Sequence, residues 1–367
     1  SALNFKGLEY GYYVVTTSQG KQLISVDSTT PNAKIVDKNS STPTELSKTA
    51  NNKDVSIGNT VTYTVSFKTS NYYGAGTEAK EIVSYTIEDT LPDFLTSVNV
   101  TSISVDNVVI HDQTGATPQF NNKKIVIKWY DEANKKFLYD NGATVTITYT
   151  AVVTDSAAID GEGNTNNVTV TWTTKGSAEP DPNNKIDTKE TIFTYAIALK
   201  KVNNKGVALP GAVFEFPFYV KSTADATDGA YIYAGTDPGT GLTNRITTPD
   251  SGVIVVKGVK TGNYVITEVK APDGYNKLTD PVTVEAAKIG KTTTQTTVYL
   301  DKDGKVVDES AKVTEVKVDI DTIAATAVVV VNKAGTELPS TGGMGTTVFY
   351  VLGAVLVLGA VVLLVTK

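Results

Sequence analysis

Three strand-like segments in the second half of the chain each end an apolar face on a group that could react. Tyr195, Ile197, Leu199 and Lys201 fall on one side of FTYAIALKKV; Tyr264, Ile266 and Glu268 align in GNYVITEVKAPDGY; Val328, Val330 and Asn332 align in TAVVVVNK. An asparagine at a strand end is equally at home facing solvent, so period alone leaves its burial open. Buried singly, each of these groups would cost several kcal/mol, by order of magnitude. Buried together they have a chemical solution. A desolvated lysine loses its proton and becomes a nucleophile, while a buried carboxyl gains one and can polarise an amide. The Lys201 amine would then attack the Asn332 side-chain carbonyl, with Glu268 shuttling protons. Ammonia would leave and an isopeptide bond would remain.

The segments that must position these groups read as half-buried strands. TVTYTVSF (60–67), TVTITYTAVV (144–153) and VTVTWTT (168–174) alternate with period two and are bounded by Gly, Asn and Asp. They predict an all-β protein of tandem immunoglobulin-like sandwiches. At 367 residues the chain can hold two or three domains. Composition suggests four regions. Residues 1–38 hold about three strands, too few for a sandwich, and read as the end of a domain that starts outside the chain. Residues 39–185 form a first sandwich closed by the linker KGSAEPDPNNKIDTK, residues 186–335 a second, and residues 336–367 a terminal signal.

Several function classes fall away. The net charge is -6, with 33 basic residues scattered among 39 acidic ones, which leaves no basic stripe for nucleic acid. There is no cysteine, and the single histidine, His111, can neither make a zinc site alone nor find a nucleophile in a recognisable motif. No loop has calcium spacing, so no metal and no cofactor is expected. The reading is of a protein that is not a turnover enzyme.

At the C-terminus LPSTGG (338–343) precedes an apolar run, Val348–Val365, that would reach roughly 27 Å as a helix, enough for a bilayer core. This arrangement resembles the cell-wall sorting signal of Gram-positive surface proteins. The resemblance implies Leu338, Pro339, Ser340, Thr341 and Gly342 as a sortase motif, cut after Thr341, with the apolar helix a transient membrane retention device and peptidoglycan a partner. The family's cluster of terminal basic residues is reduced here to Lys367.

The segments KVNNKGVALPGAVFEF, YVITEVKAPDGY and VVVVNKAGTELPSTGG resemble the C-terminal CnaB-type domain of Gram-positive pilins, which supports the reading of Lys201, Glu268 and Asn332. In the preceding sandwich Leu46 and Lys48 share a face of PTELSKTA; Tyr85, Ile87 and Asp89 share one of VSYTIEDTLPDFL; Asn166 lines up with Val168, Val170 and Trp172. That region resembles the isopeptide-forming second domain (CnaA-like) of pilin backbones. By this likeness Lys48, Asp89 and Asn166 are the candidates, with Asn164 and Asn167 as neighbouring rivals. Lys38, in VDKN, stands where the family carries its pilin motif, although the Tyr-Pro of the stronger form is missing and Lys34 lies near. The resemblance thus implies a major pilin, joined from Thr341 to Lys38 of the next subunit and supporting adhesion to host or bacterial surface ligands. The alternatives are a monomeric wall-anchored adhesin and a minor or anchor pilin.

Overall fold

The computed structural model describes residues 5–17, 20–33, 42–75, 78–111, 115–158, 163–223, 229–287, 294–320 and 327–335. Lys34, Lys38, the 338–342 motif and the expected membrane helix lie outside the described residues. Among those described there is no α-helix, and a 3₁₀ turn spans Glu309–Ala311. The all-β expectation holds.

Near the N-terminus β1 (Gly11–Thr17) and β2 (Gly20–Val26) form one antiparallel hairpin among the described residues. The first sandwich follows. It comprises β3 (Thr44–Ala50), β4 (Thr60–Lys68), β5 (Tyr72–Tyr73), β6 (Lys80–Asp89), β7 (Leu95–Val105), β8 (Val108–Val109), β9 (Lys124–Lys128), β10 (Tyr130–Asp131), β11 (Lys136–Phe137), β12 (Thr144–Val153), β13 (Asn164–Thr174) and β14 (Lys185–Ile192). One sheet runs β3-β4-β12-β7-β8; the facing sheet runs β14-β13-β6-β5, with β9 on β6. β12 shows why these segments choose strands. Val145, Ile147, Tyr149, Ala151 and Val153 are buried while the threonines between them are half-exposed, the pattern of a pleated strand with one face in the core.

β14 pairs with β13 from Asn164–Ile192 to Thr171–Lys185, so the strand that opens at the expected boundary of residue 185 completes the first sandwich. The second sandwich starts at Tyr195. The Pro/Asn-rich stretch before β14 is therefore a connection inside a sheet; composition marks a loop without saying which sheet receives the next strand.

The second sandwich contains β15 (Tyr195–Asn203), β16 (Val213–Ser222), β17 (Ala230–Tyr233), β18 (Leu242–Thr247), β19 (Val253–Val259), β20 (Asn263–Lys270), β21 (Val282–Glu285), β22 (Thr294–Leu300), β23 (Val306–Val307), β24 (Thr314–Ile320) and β25 (Val328–Asn332). Its large sheet runs β21-β20-β16-β17-β19-β15-β25, with β18 on β16. The domain's first and last strands, β15 and β25, lie side by side and parallel. β15 is apolar on both faces for a reason its period does not reveal. Ile197 and Leu199 enter the main core, whereas Ala198 and Val202 enter a second cluster with Val298, Leu300 and Val316 of the added β23-β22-β24 sheet.

The two sandwiches meet through residues 53–57. Phe193 N–H donates to Lys53 O at 2.7 Å, Ile57 N–H to Gly258 O at 2.8 Å, and Lys260 N–H to Ser56 Oγ at 2.9 Å. Gly258 has φ of +84°, and a Cβ there would lie 2.1 Å from Ile57 Cδ1. Only glycine satisfies both the backbone and the contact.

Candidate functional site

In the second sandwich the pleat that carries Ile197 and Leu199 inward also carries Lys201 inward, at the point where β15 runs beside β25. Lys201 is opposite Val330 in this parallel register, and Asn332 lies two residues further along the same face. Glu268 reaches the pair from β20. Relative exposures are 0% for Lys201 and 1% each for Glu268 and Asn332, so the asparagine that period left open is a core residue.

The three groups are in direct contact. Lys201 Nζ donates to Asn332 Oδ1, lies 3.6 Å from Glu268 Oε1, and also donates to Val330 O at 3.3 Å. The Asn332 amide nitrogen donates to Glu268 Oε1 at 2.9 Å and Oε2 at 3.1 Å, and Leu278 N–H fixes Oε2 at 2.8 Å. Loss of water pushes the Lys201 pKa down to about 8, against the opposing pull of Glu268. Near pH 7 roughly a tenth of such amines is neutral. The backbone of Lys201 is clasped as well, its N–H donating to Gly252 O at 2.7 Å while its carbonyl accepts from Leu209 N–H at 3.0 Å. A Cβ on Gly252 would sit 2.4 Å from the Lys201 carbonyl oxygen.

The first sandwich gathers a second set across its core. Lys48 comes from β3 in one sheet, and Asp89 and Asn166 come from β6 and β13 in the other, where Asp89 faces Val168. Lys48 is 5% exposed, and Asp89 and Asn166 are fully buried. Lys48 Nζ donates to Asp89 Oδ2 at 2.7 Å and to Asn167 O at 3.3 Å. Burial pushes the Lys48 pKa down to about 8, partly offset by Asp89.

Of the three neighbouring asparagines, Asn164 spends its amide on the backbone of Ala158 and Asn167 is exposed, leaving Asn166 in the core. Its amide nitrogen donates to the Tyr149 hydroxyl at 2.9 Å; that hydroxyl donates to Asp89 Oδ2 at 2.7 Å. Its amide oxygen accepts from Thr90 Oγ1 at 3.0 Å. Sequence reasoning missed Tyr149 and Thr90. Tyr149 sits at a core-facing step of TITYTAVV and looks like packing; Thr90 directly follows Asp89 and is the signal that was available.

Each set can do the same chemistry. A buried amine with a depressed pKa is gathered with a primary amide and a carboxyl, the groups needed to exchange an amide nitrogen for a lysine nitrogen. Lys201 touches its amide directly, whereas Lys48 touches Asp89, which reaches the Asn166 amide through the Tyr149 hydroxyl. Among the described residues no group of three or more His, Cys, Asp or Glu is placed to hold a metal ion. His111 lies exposed after β8.

Comparison with known proteins adds the context. Residues 195–304 match the SpaA prealbumin-like fold domain, and residues 330–367 match the LPXTG cell wall anchor motif of Gram-positive proteins. The chain is 27% identical over 379 residues to the trypsin-resistant surface T6 protein of Streptococcus pyogenes, covering 86% of this chain and 66% of that one, just under two thirds of the relative's length. It is similar to the group B streptococcus pilus 2b backbone protein, with a TM-score of 0.51 and 26% identity over 80% of this chain and 99% of that one. The full-length major pilin RrgB from Streptococcus pneumoniae shares the fold at a TM-score of 0.50 and 13% identity, over 86% of this chain and 78% of that one. The anchor motif and the surface-protein relative support a cell-wall-anchored location.

Proposed function

We propose that this chain, similar to streptococcal backbone pilins over most of its length, is itself the shaft subunit of a covalent pilus. Sortase cleaves LPSTG after Thr341 and joins the Thr341 carbonyl to Lys38 of the neighbouring subunit. Repetition gives a head-to-tail polymer, and peptidoglycan receives its base. Within each subunit Lys48 bonds to Asn166 and Lys201 to Asn332, with Asp89 and Glu268 moving the protons. Each bond forms once, so the role is structural rather than one of turnover.

The observation that carries this reading is the buried Lys201–Glu268–Asn332 contact, in which Lys201 and Glu268 lie within the SpaA-type match and Asn332 at the start of the anchor-motif match. A desolvated lysine touching a side-chain amide is costly to keep unless the two react. The missing cysteines fit the same plan, since isopeptide bonds do not depend on redox state. Expressed with its sortase, the chain should give a ladder of covalent multimers on denaturing gels. Lys38→Ala should abolish the ladder; an unchanged ladder would remove Lys38 from the linkage.

A further inference from the structure

The geometry points to Tyr149 as the proton relay of the first site, a catalytic residue in a reaction otherwise assigned to a lysine, a carboxyl and an asparagine. The inference rests on the Lys48–Asn166 bond proposed above.

The two sites solve one problem differently. Glu268 touches both reactants itself, reaching the Asn332 amide nitrogen at 2.9 Å and the Lys201 amine at 3.6 Å. Asp89 touches only the amine. Its Oδ2 accepts from Lys48 Nζ and from the Tyr149 hydroxyl, both at 2.7 Å, and its Oδ1 is held by Leu91 N–H at 3.2 Å. Among the described residues no hydrogen bond joins Asp89 to the Asn166 amide. The group on the departing nitrogen is the Tyr149 oxygen, 2.9 Å away.

The proton ledger then closes through Tyr149. Neutral Lys48 Nζ attacks Asn166 Cγ, and charge develops on Oδ1 under the Thr90 hydroxyl. One amine proton passes to Asp89 Oδ2. As the Cγ–Nδ2 bond breaks, the Tyr149 hydroxyl gives its proton to Nδ2 and takes the one on Asp89. Ammonia leaves, the Lys48 Nζ–Asn166 Cγ bond remains, and both Asp89 and Tyr149 return to their starting states. Burial and the Asp89 charge raise the Tyr149 pKa, which keeps the phenol protonated and available to donate.

Tyr63 supplies the internal contrast. Its ring stacks on Tyr149 with centroids 5.3 Å apart, yet its buried hydroxyl has no hydrogen-bond partner among the described residues. A tyrosine retained for packing alone looks like Tyr63, whereas Tyr149 has both hydroxyl contacts on reacting groups.

The test follows the first linkage over time in the full chain, made by pulsed cell-free synthesis and chased, with the Lys48–Asn166 and Lys201–Asn332 cross-linked peptides quantified by mass spectrometry. Tyr149→Phe should slow the first linkage at least about tenfold, as expected for lost proton transfer, and leave the second at its wild-type rate. Comparing Lys48→Ala with Lys48→Ala/Tyr149→Phe in denaturant reads any effect on folding separately. Wild-type linking in Tyr149→Phe would overturn the relay alone; absence of the first linked peptide from the wild-type chain would overturn the bond and the relay with it. If Tyr149→Phe does not fold, 3-fluorotyrosine placed at position 149 changes the acidity of the hydroxyl while keeping the ring. An altered linking rate supports the relay, and an unaltered one overturns it.

Discussion

The two sandwiches place equivalent groups at different points along the path that a pulling force would take. In the second, the chain enters along β15 to Lys201 and leaves immediately after Asn332, and these residues sit on neighbouring parallel strands. A bond between them takes everything between Val202 and Val331 out of the load. In the first, the bond would join opposite sheets, and β13 beyond Asn166 together with all of β14 stays outside the closed loop. That segment is tied to the closed loop by the β13/β6 ladder, from Val168–Asp89 to Thr174–Ile82, and by the Phe193 hydrogen bonds to residues 53–55, while β14 is carried on β13. With both proposed bonds formed, the second domain would be covalently shunted from end to end, and the first would keep a segment that can peel. Position along the strand, more than the chemistry of the bond, decides how much of a domain can stretch.

Pulling single molecules by their ends would test this most severely. Beyond the opening of the β1/β2 hairpin, wild-type chains should show an extension of about 90 Å, the contour of residues 167–192, and none from the second sandwich. Glu268→Ala should release a further roughly 450 Å as the second domain opens, and Asp89→Ala a further step of about 400 Å from the first. In denaturant each variant should destabilise its own domain by up to about 5 kcal/mol and leave the other unchanged. Equal destabilisation of both domains would mean that the sandwiches do not act as separate covalent units.

The next effect is set by pH. Both lysines are lowered to about 8, so the neutral amine becomes scarcer as pH falls. Linking at each site should slow about tenfold for each pH unit below 8. A shared midpoint would assign the lysine to burial; separate midpoints would assign it to the differing carboxyl arrangements. The sign for stability is opposite to that of an ordinary surface lysine pair. In a chain that cannot link, Asn166→Ala/Asn332→Ala, the unfolded lysines hold protons up to about 10.5 and the folded ones only to about 8. Stability should therefore rise with pH between those values, as read by urea melts, and be smallest below them.

The smallest effect separates the two stacked tyrosines. Tyr63→Phe removes a buried hydroxyl that has no partner among the described residues, so it should leave linking unchanged and shift stability by no more than about 1 kcal/mol, towards the stable side. A large loss of linking in Tyr63→Phe would erase the distinction drawn between Tyr63 and Tyr149.

Period-two alternation made the strands legible and aligned Lys201, Glu268 and Asn332 with apolar faces, because a pleat puts alternate residues on one face whatever the tertiary context; it left the burial of Asn332 open, which the resemblance favoured and the packing of β25 against β15 supplies. It also offered Lys48, Asp89 and Asn166, although the choice among Asn164, Asn166 and Asn167 needed the loop at Ala158 and the facing sheet. Tyr149 was not legible for the same reason that it packs well: in a strand, a core tyrosine and a relay tyrosine have the same spacing. The β23-β22-β24 sheet was also hidden. Nothing in residues 294–320 says that they cover Ala198 and Val202, and only that contact explains why β15 is apolar on both sides.

The central claim is that each sandwich carries one lysine–asparagine bond, and the intact mass of the purified chain tests it most directly. The account predicts a mass below the sequence value by two ammonia molecules, with linked peptides placing one loss at Lys48–Asn166 and the other at Lys201–Asn332. A mass equal to that of the unmodified sequence would contradict it.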